Sequence, residues 1–142
     1  IIESANLVIR RPRTASVVLG GGTPKNFINQ ASLQADYYQP NSGGHSYAIQ
    51  IVTDVPHFGG ASGSTLDEAQ SWGKLAGDAD QITVTADVSL ALPLLATALA
   101  ASAKEKLKTR RPPRFDLSTR VMSVDGAPAP YLRFDAEDEK NR

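Results

Sequence analysis

Short runs with strand character alternate with helical patterns between residues 15 and 108, and this alternation constrains the fold more than any other feature of the sequence. Runs rich in β-branched and apolar residues predict strands over 15–19, 46–53 and 81–85. Helices are predicted over 23–33, 66–75 and 89–108. Strands that alternate with helices form a parallel sheet with helices packed on it. The sequence therefore predicts an α/β fold, a parallel sheet flanked by helices.

Signals for helix starts support two of these predictions. Thr23 and Pro24 are typical of a capping residue followed by proline in the first turn. Thr65 and Glu68 have the spacing of a capping box. The glycines before Thr23, at 20–22, lie where a strand meets a helix, which suits either a phosphate-binding turn or a simple tight turn.

The domain organisation follows from the number of strands and from the first residue. Three strands are few for a complete α/β domain, and the sequence begins with Ile rather than Met. We therefore expect the C-terminal portion of a longer fold. In this division, residues 1–14 are a lead-in from the missing N-terminal portion, 15–108 belong to the α/β domain, and 109–142 form a Pro-rich C-terminal extension, either a loose hairpin or an arm onto a partner chain.

The charges are unevenly distributed, although 15 basic and 15 acidic residues give a net charge of zero. Residues 26–103 contain seven acidic residues and one basic residue, Lys74, so we expect acidic surroundings for this lysine. The basic cluster at 104–114 has no interleaved aromatic residues, which favours a solvated surface over a nucleic-acid site.

Composition excludes several classes of site. The chain has no cysteine, which excludes disulfides and thiolate sites, and two histidines are too few for a three-histidine metal centre. The longest apolar segment, 88–103, is too short and too mixed to span a bilayer. We expect a soluble, cytoplasmic protein with no metal and with neither a membrane nor a nucleic acid as a partner.

Lys74 is the candidate nucleophile. Most lysines on helices are solvated, but this one follows Trp72 and Gly73 and lies near Glu68. An amine beside an aromatic side chain with few solvated neighbours can lose its proton and form imines. A surface lysine and a pyridoxal phosphate enzyme remain the alternatives. His57, with no visible partner, is either an acid–base group or an ordinary loop residue.

Three blocks of sequence resemble the C-terminal part of the deoxyhypusine synthase family. They are LGGGTPK at 19–25, DEAQSWGK at 67–74 and TADVSL at 85–90. Their order and spacing match over roughly residues 15–103, and the second block is highly specific. The resemblance implies a Rossmann-like NAD-binding fold, present here only as its C-terminal portion, and a homotetramer or hetero-oligomer with sites between paired subunits.

The resemblance also implies the chemistry and its residues. In this family NAD accepts a hydride from spermidine, and the aminobutyl group passes to a lysine as an imine and then to an acceptor amine. The acceptor is a lysine of the hypusine-containing translation factor or, in related homospermidine synthases, putrescine. Lys74 and Glu68 correspond to catalytic residues. The corresponding cofactor positions are Gly20, Gly21, Gly22, Thr53, Asp54, Ala86, Asp87 and Val88. The corresponding substrate positions are Asn26, Gly59, Gly60, Ala61, Ser62, Glu68, Trp72 and Lys74.

Two positions depart from the family pattern. Asn26 occupies the place of an active-site histidine in eukaryotic members, and Ala61 occupies the place of an acidic residue. Asparagine can form hydrogen bonds but cannot titrate near neutral pH. The acceptor is therefore open between the translation factor and putrescine. The third alternative is a catalytically silent paralogue or subunit that supports a partner chain carrying the N-terminal portion.

Overall fold

A three-stranded parallel sheet organises the part of the chain that the computed structural model describes, residues 2–40, 42–116 and 123–128. The strands are β1 (Ala15–Leu19), β2 (His45–Val52) and β3 (Leu75–Thr85), with β2 in the middle. Both pairings are parallel. The predicted α/β class is confirmed, and the carboxyl ends of all three strands lie at one edge of the sheet.

Five helices accompany the sheet in the described residues. They are α1 (Ile2–Arg10), α2 (Thr23–Tyr38), α3 (Leu66–Ser71), α4 (Val88–Ser102) and α5 (Lys104–Thr109). Two 3₁₀ turns, Pro56–Phe58 and Gly60–Gly63, lie between β2 and α3. None of the helices in the ranges described combines the length and the apolar character that crossing a bilayer requires.

Two small apolar clusters hold the helices in place. On one face of the sheet, Ala48 packs with Leu66 and Ala69 of α3 and with Leu75. Away from the sheet, α1 packs against α2 through a second cluster, composed of Ala5, Val8, Ala31 and Ala35. Residues 2–10, expected only as a lead-in, are therefore a helix docked on α2.

The opposite face of the sheet is open at its two outer strands in the described residues. Val17 of β1 and Ile82 of β3 are each 55% exposed, and leucines along α4 are exposed as well. Parallel sheets are ordinarily covered on both faces. Burial of such apolar side chains is the dominant favourable term in folding and association, so this face is suited to a covering layer.

Several predicted boundaries were wrong. Helix α2 continues to Tyr38. Its N-cap is Gly22, which supplies no side-chain capping hydrogen bond, and the predicted cap, Thr23, is the first helical residue. The predicted helix over 89–108 is interrupted at Ala103, between α4 and α5.

Strand β3 begins at Leu75, six residues before the predicted start at 81. Leu75 pairs with His45 whereas Asp80 pairs with Tyr47, so extra residues bulge out of β3. The side-chain amide of Gln70 donates to the carbonyls of Ala76 and Gly77 within this bulge. A side chain of α3 thus replaces the ladder bonds that the bulge interrupts.

A small antiparallel sheet lies in the C-terminal extension. It consists of β4 (Phe115–Asp116), β5 (Ser123–Val124) and β6 (Ala127–Pro128). Asp125 and Gly126, with φ of 54° and 81°, form the turn of the expected hairpin. Arg11 donates to Asp125 at 2.6 Å and ties the hairpin to the end of α1. The parts of the predicted extension at 117–122 and 129–142 lie outside the described residues.

Candidate active site

The end of helix α3 determines where Lys74 lies. Gly73 has φ of +74°, a left-handed conformation that glycine adopts without steric cost. The Gly73 amide donates to Gln70 O, and the Lys74 amide donates to Ala69 O, both at 2.9 Å. These two bonds form a Schellman motif, which ends the helix at Ser71 rather than at the predicted residue 75. Lys74 therefore lies in the link between α3 and β3, not on a helix.

The backbone of Lys74 is held from two further directions. Ser32 Oγ donates to Lys74 O at 2.7 Å, and the His45 amide donates to the same carbonyl at 3.1 Å. Ser32 lies on α2 and His45 opens β2, so three elements converge on this residue. These hydrogen bonds fix the position of the Lys74 backbone, from which the side chain extends.

Helix α2 contributes a polar stripe to the same region. One face of this helix, polar except for Leu33, lines a cavity. Its residues recur at helical spacing and are Lys25, Asn26, Asn29, Gln30 and Leu33. Lys25 and Asn29 are each only 1% exposed. Within the described residues, Asn29 Oδ1 is a buried acceptor with no hydrogen-bond partner. A donor that enters the cavity would satisfy it.

The turn Gly60–Gly63 closes the cavity and has unusual backbone geometry. Ala61 and Ser62 have φ of 52° and 64°, a region that costs L-residues roughly 1–2 kcal/mol each. Lys25 Nζ donates to Ala61 O at 3.3 Å, to Ser64 Oγ at 2.9 Å and to Ser64 O at 2.5 Å. The buried ammonium group thus ties the strained turn to α2.

The resulting cavity has a volume of about 390 Å³. Its described lining contains Lys25, Asn26, Asn29, Gln30, Leu33, Ser62, Ser64, Glu68, Ala69, Trp72 and Lys74. The structure therefore brings together five of the residues predicted for substrate or catalysis. These are Asn26, Ser62, Glu68, Trp72 and Lys74.

Three predicted substrate residues lie beside the cavity rather than in its described lining. Ala61 contributes its carbonyl to Lys25. Gly60 packs so closely on Asp54 O that a Cβ would lie 2.6 Å from it. Gly59 has φ of +89° and separates the two 3₁₀ turns. Their role in the described structure is to shape the turn. His57, in the turn before them, stacks edge-on against Phe58 and is absent from the described lining of the cavity.

The sequence analysis did not single out Lys25 or Asn29, although both line the cavity. Lys25 lies 49 positions before Lys74, yet the two lysines and Glu68 share the cavity. Burial lowers the pKa of Lys25, the charge of Glu68 opposes this and the charge of Lys74 reinforces it. The expected acidic surroundings of Lys74 are accordingly wrong: among the described lining residues, Glu68 is the one carboxylate, and it faces two lysines. The helical spacing of Lys25 and Asn29 was the signal available in the sequence.

The cavity contains groups that can bind an amine. Glu68 supplies a carboxylate, Asn29 an unused carbonyl oxygen, and Trp72, 64% exposed, an aromatic surface at the rim. Carboxylates, amide oxygens and indole faces all attract alkylammonium groups. Lys74 supplies an amine that can add to an imine or carbonyl carbon.

The predicted cofactor residues lie together at the carboxyl edge of the sheet. Gly20–Gly22 follow β1, Thr53 and Asp54 follow β2, and Ala86–Val88 follow β3. The Gly20 amide donates to Ile51 O at 2.7 Å, and the Ala86 amide donates to Val52 O at 3.1 Å. The loops that follow β1 and β3 are therefore both hydrogen-bonded to β2. In open α/β sheets this edge is where nucleotides bind.

The residues at this edge fit a dinucleotide. Gly20 and Gly21 have φ of 71° and 56°, and a Cβ on Gly20 would meet nothing within 4 Å, which leaves space for close approach to the backbone. Asp87 Oδ1 accepts from the Ser89 amide at 2.8 Å, and hydrogen bonding from the Ser89 hydroxyl lowers the pKa of Asp87. An ionised carboxylate at a strand end is suited to accepting bonds from ribose hydroxyls.

The edge and the cavity adjoin at one contact. A Cβ on Gly22 would lie 2.1 Å from Ser62 Oγ, so the glycine-rich turn and the Gly60–Gly63 turn are packed without room for a side chain. Asn26 Nδ2 donates to the same Ser62 Oγ at 3.3 Å. Ser62 therefore touches the residue that opens α2 and a residue that lines the cavity.

Comparisons with known proteins indicate the family. The family described as deoxyhypusine synthase matches residues 1–99. "Probable deoxyhypusine synthase 2" of Archaeoglobus fulgidus is 44% identical over 104 residues, covering 73% of this chain and 35% of that protein. "Probable deoxyhypusine synthase 2" of Methanosarcina acetivorans is 48% identical over 97 residues, or 68% of this chain and 28% of that protein. The chain thus spans about a third of the length of these curated relatives.

Proposed function

Since this chain belongs to the deoxyhypusine synthase family, we propose that it contributes the imine-forming lysine and the amine pocket of an NAD-dependent aminobutyl transfer. The substrate is spermidine or a related polyamine, and the acceptor is a lysine of the hypusine-containing translation factor. One observation carries the proposal: Lys74, Glu68 and Trp72 line a single cavity closed by the turn that Lys25 holds. The names of the curated relatives support the same function.

Each cavity residue has a defined task in this reaction. Glu68 and Asn29 accept hydrogen bonds from substrate ammonium groups, and Trp72 covers the alkyl chain at the rim. Lys74 Nζ attacks the oxidised carbon of the substrate, the bond from that carbon to the leaving amine breaks, and the aminobutyl group remains on Lys74 as an imine. The acceptor amine then attacks the same carbon and frees Lys74. Asn26 contributes a hydrogen bond and no proton transfer.

The carboxyl edge of the sheet supplies the cofactor position in this proposal. The residues that would hold NAD are Gly20–Gly22, Thr53, Asp54 and Ala86–Val88, on the fit described above. Bound there, NAD would supply hydride acceptance from the carbon next to the substrate nitrogen and the return of that hydride. The Gly22–Ser62 contact supports this assignment because it places the edge beside the amine cavity.

A covering layer for the open sheet face is part of the proposal. Val17, Ile82 and the α4 leucines are exposed, and the relatives are more than twice as long as this chain. We assign this face to the remainder of the family fold, as a preceding segment or as a separate chain in a homotetramer or hetero-oligomer. The proposed activity belongs to that assembly, and its proposed location is the cytoplasm.

Borohydride trapping tests the proposed role of Lys74. The protein in its native assembly is incubated with spermidine and NAD and then reduced, which converts an imine into a stable secondary amine. Peptide mass analysis is expected to find the added aminobutyl group on Lys74, and none in Lys74→Ala. Lys106→Ala, which removes an exposed lysine of α5, is the matched control and is expected to label normally. A label that persists in Lys74→Ala would refute the assignment.

Asn26 favours a second candidate for the acceptor. Asn26 cannot take a proton from the acceptor amine. An acceptor with a second amine that can act as the base is therefore favoured over a protein lysine, and the diamine putrescine is the alternative acceptor. An acceptor comparison separates the two, with homospermidine as the product from putrescine. NAD binding without turnover of either acceptor would indicate instead a silent subunit that supports a partner chain.

A further inference from the structure

A second pocket lies on the other side of α3 from the Lys74 cavity. Gln50, in the middle of the central strand β2, is 0% exposed. Neither its Nε2 nor its Oε1 has a hydrogen-bond partner among the described residues. A buried amide that leaves both its donor and its acceptor unused is unfavourable. Its position in the sheet therefore points to a ligand.

The orientation of a second amide is determined by its neighbours. Gln70 Nε2 donates to the carbonyls of Ala76 and Gly77, so Gln70 presents its oxygen to Gln81. Gln81 Nε2 donates to this oxygen at 3.3 Å and to Asp67 Oδ1 at 2.8 Å. Gln81 Oε1 is consequently left as a buried acceptor without a partner in the described part of the chain.

Both amides belong to one pocket. Ala48 pairs with Gln81 and Gln50 pairs with Thr83, so Gln50 and Gln81 are diagonal neighbours on the same face of β2 and β3. They line a pocket of about 310 Å³ that also has Pro56, Thr65, Leu66, Asp67, Ile82 and Thr83 in its described lining. None of these residues lines the Lys74 cavity.

The lining defines the chemistry of the ligand. Its described residues include one carboxylate, Asp67, and two amide oxygens that lack partners, but no basic side chain. Such a set disfavours anions and favours a group rich in donors that carries a positive charge. The Gln50 Nε2 donor requires an acceptor on the same ligand. A hydroxyl or carbonyl oxygen near the ammonium group meets this requirement.

We propose that the pocket formed by Gln50, Gln81 and Asp67 binds the primary ammonium group of a small aliphatic amine with a neighbouring oxygen. The ammonium group donates to Gln50 Oε1, Gln81 Oε1 and the Asp67 carboxylate, and the ligand oxygen accepts from Gln50 Nε2. This site is independent of the Lys74 cavity and of the aminobutyl transfer proposed above.

Calorimetric titration of the full chain with ethanolamine tests the site. Choline is the matched ligand, because it keeps the positive charge and the hydroxyl group but has no N–H donor. We expect saturable one-to-one binding of ethanolamine and at least ten-fold weaker binding of choline. Gln50→Leu, which keeps the approximate size of the side chain, should weaken ethanolamine binding at least ten-fold. It should also raise the melting temperature of the ligand-free protein.

A variant in each cavity separates the two sites. Gln81→Met, at a half-buried position, provides a second test of the proposed pocket should Gln50→Leu not fold. Glu68→Gln, in the Lys74 cavity, should leave ethanolamine binding unchanged. Four results would overturn the proposal. They are no saturable binding of ethanolamine, equal binding of choline and ethanolamine, full ethanolamine binding by both glutamine variants, and loss of ethanolamine binding in Glu68→Gln alone.

Discussion

Replacing Lys25 with methionine is the sharpest test of how the cavity is held together. Methionine keeps most of the apolar stem of the side chain and removes only the ammonium group. The change deletes the hydrogen bonds from Nζ to Ala61 O, Ser64 O and Ser64 Oγ. It leaves the backbone of Ala61, which is 4% exposed, without this donor.

The structure sets the size of the expected effect. Hydrogen bonds from a charged donor contribute about 1.5–3 kcal/mol each, and a buried acceptor left without a partner costs about 1–3 kcal/mol. The opposing effect is that the variant no longer buries a charge. Three lost bonds outweigh that relief, so Lys25→Met should lower the free energy of unfolding by about 2–4 kcal/mol at pH 7.

The same substitution has a signature in pH. Burial lowers the pKa of Lys25 below its ordinary value of 10.5, so on raising the pH the folded protein releases this proton before the unfolded chain does. Between the lowered pKa and 10.5 the unfolded chain binds more protons, and stability must rise with pH across that window. Methionine does not titrate, so this contribution disappears in the variant.

Urea unfolding at pH 7 and at alkaline pH measures both effects. Lys106→Met, on the exposed surface of α5, is the control and should match the wild type within about 0.5 kcal/mol. The difference between wild type and Lys25→Met should grow as the pH rises. A Lys25→Met variant as stable as the control at pH 7, or one with the pH profile of the wild type, would refute this account of the cavity.

Three further substitutions test neighbouring features by the same unfolding measurement. Burial lowers the pKa of His45, so the stability that the neutral ring provides is complete above pH 6.5 and should be lost as the pH falls below 6.5. His45→Gln should remove this loss, and an equal loss in the variant would contradict the role of His45. Thr65→Val should cost about 1 kcal/mol because Thr65 Oγ1 caps α3 by accepting from the Glu68 amide, whereas Thr65→Ser should cost little; equal losses would exclude the cap as the cause. Gly22→Ala should cost about 1–3 kcal/mol through overlap with Ser62 Oγ, and Ser62→Gly in the same chain should restore most of it; failure of this rescue would locate the strain elsewhere.

The strands were predictable because their signals are local, and runs of β-branched residues identify all three. The block ending at Lys74 marked this lysine as a candidate, and the structure places it in one cavity with Glu68 and Trp72. Boundaries were less predictable where a single backbone angle decides them. Gly73, at φ of +74°, ends α3 four residues early. A glycine in the sequence does not reveal which sign its φ will take.

The hydrogen-bond partners of Lys25 could not be found from local signals because they are distant in sequence. Ala61 and Ser64 lie 36 and 39 positions away and reach it only when the Gly60–Gly63 turn folds against α2. The uneven charge distribution therefore predicted acidic surroundings for Lys74 that the structure does not have. The distribution of charges along the sequence does not predict which side chains of a helix line the same cavity as a loop.

Helix α2 joins the two halves of the candidate site. Its first residues follow the glycine-rich turn at the carboxyl edge of the sheet, and its polar stripe, beginning at Lys25, lines the amine cavity. A shift of this helix along its axis would therefore move the proposed cofactor edge and the cavity together. Ser62 contacts Gly22 in the glycine-rich turn and Asn26 in the cavity. Lys25 holds the turn that carries Ser62 by donating to Ala61 O. The buried ammonium group thus has a structural task that Lys74 does not share, which explains why one cavity contains two lysines with different surroundings.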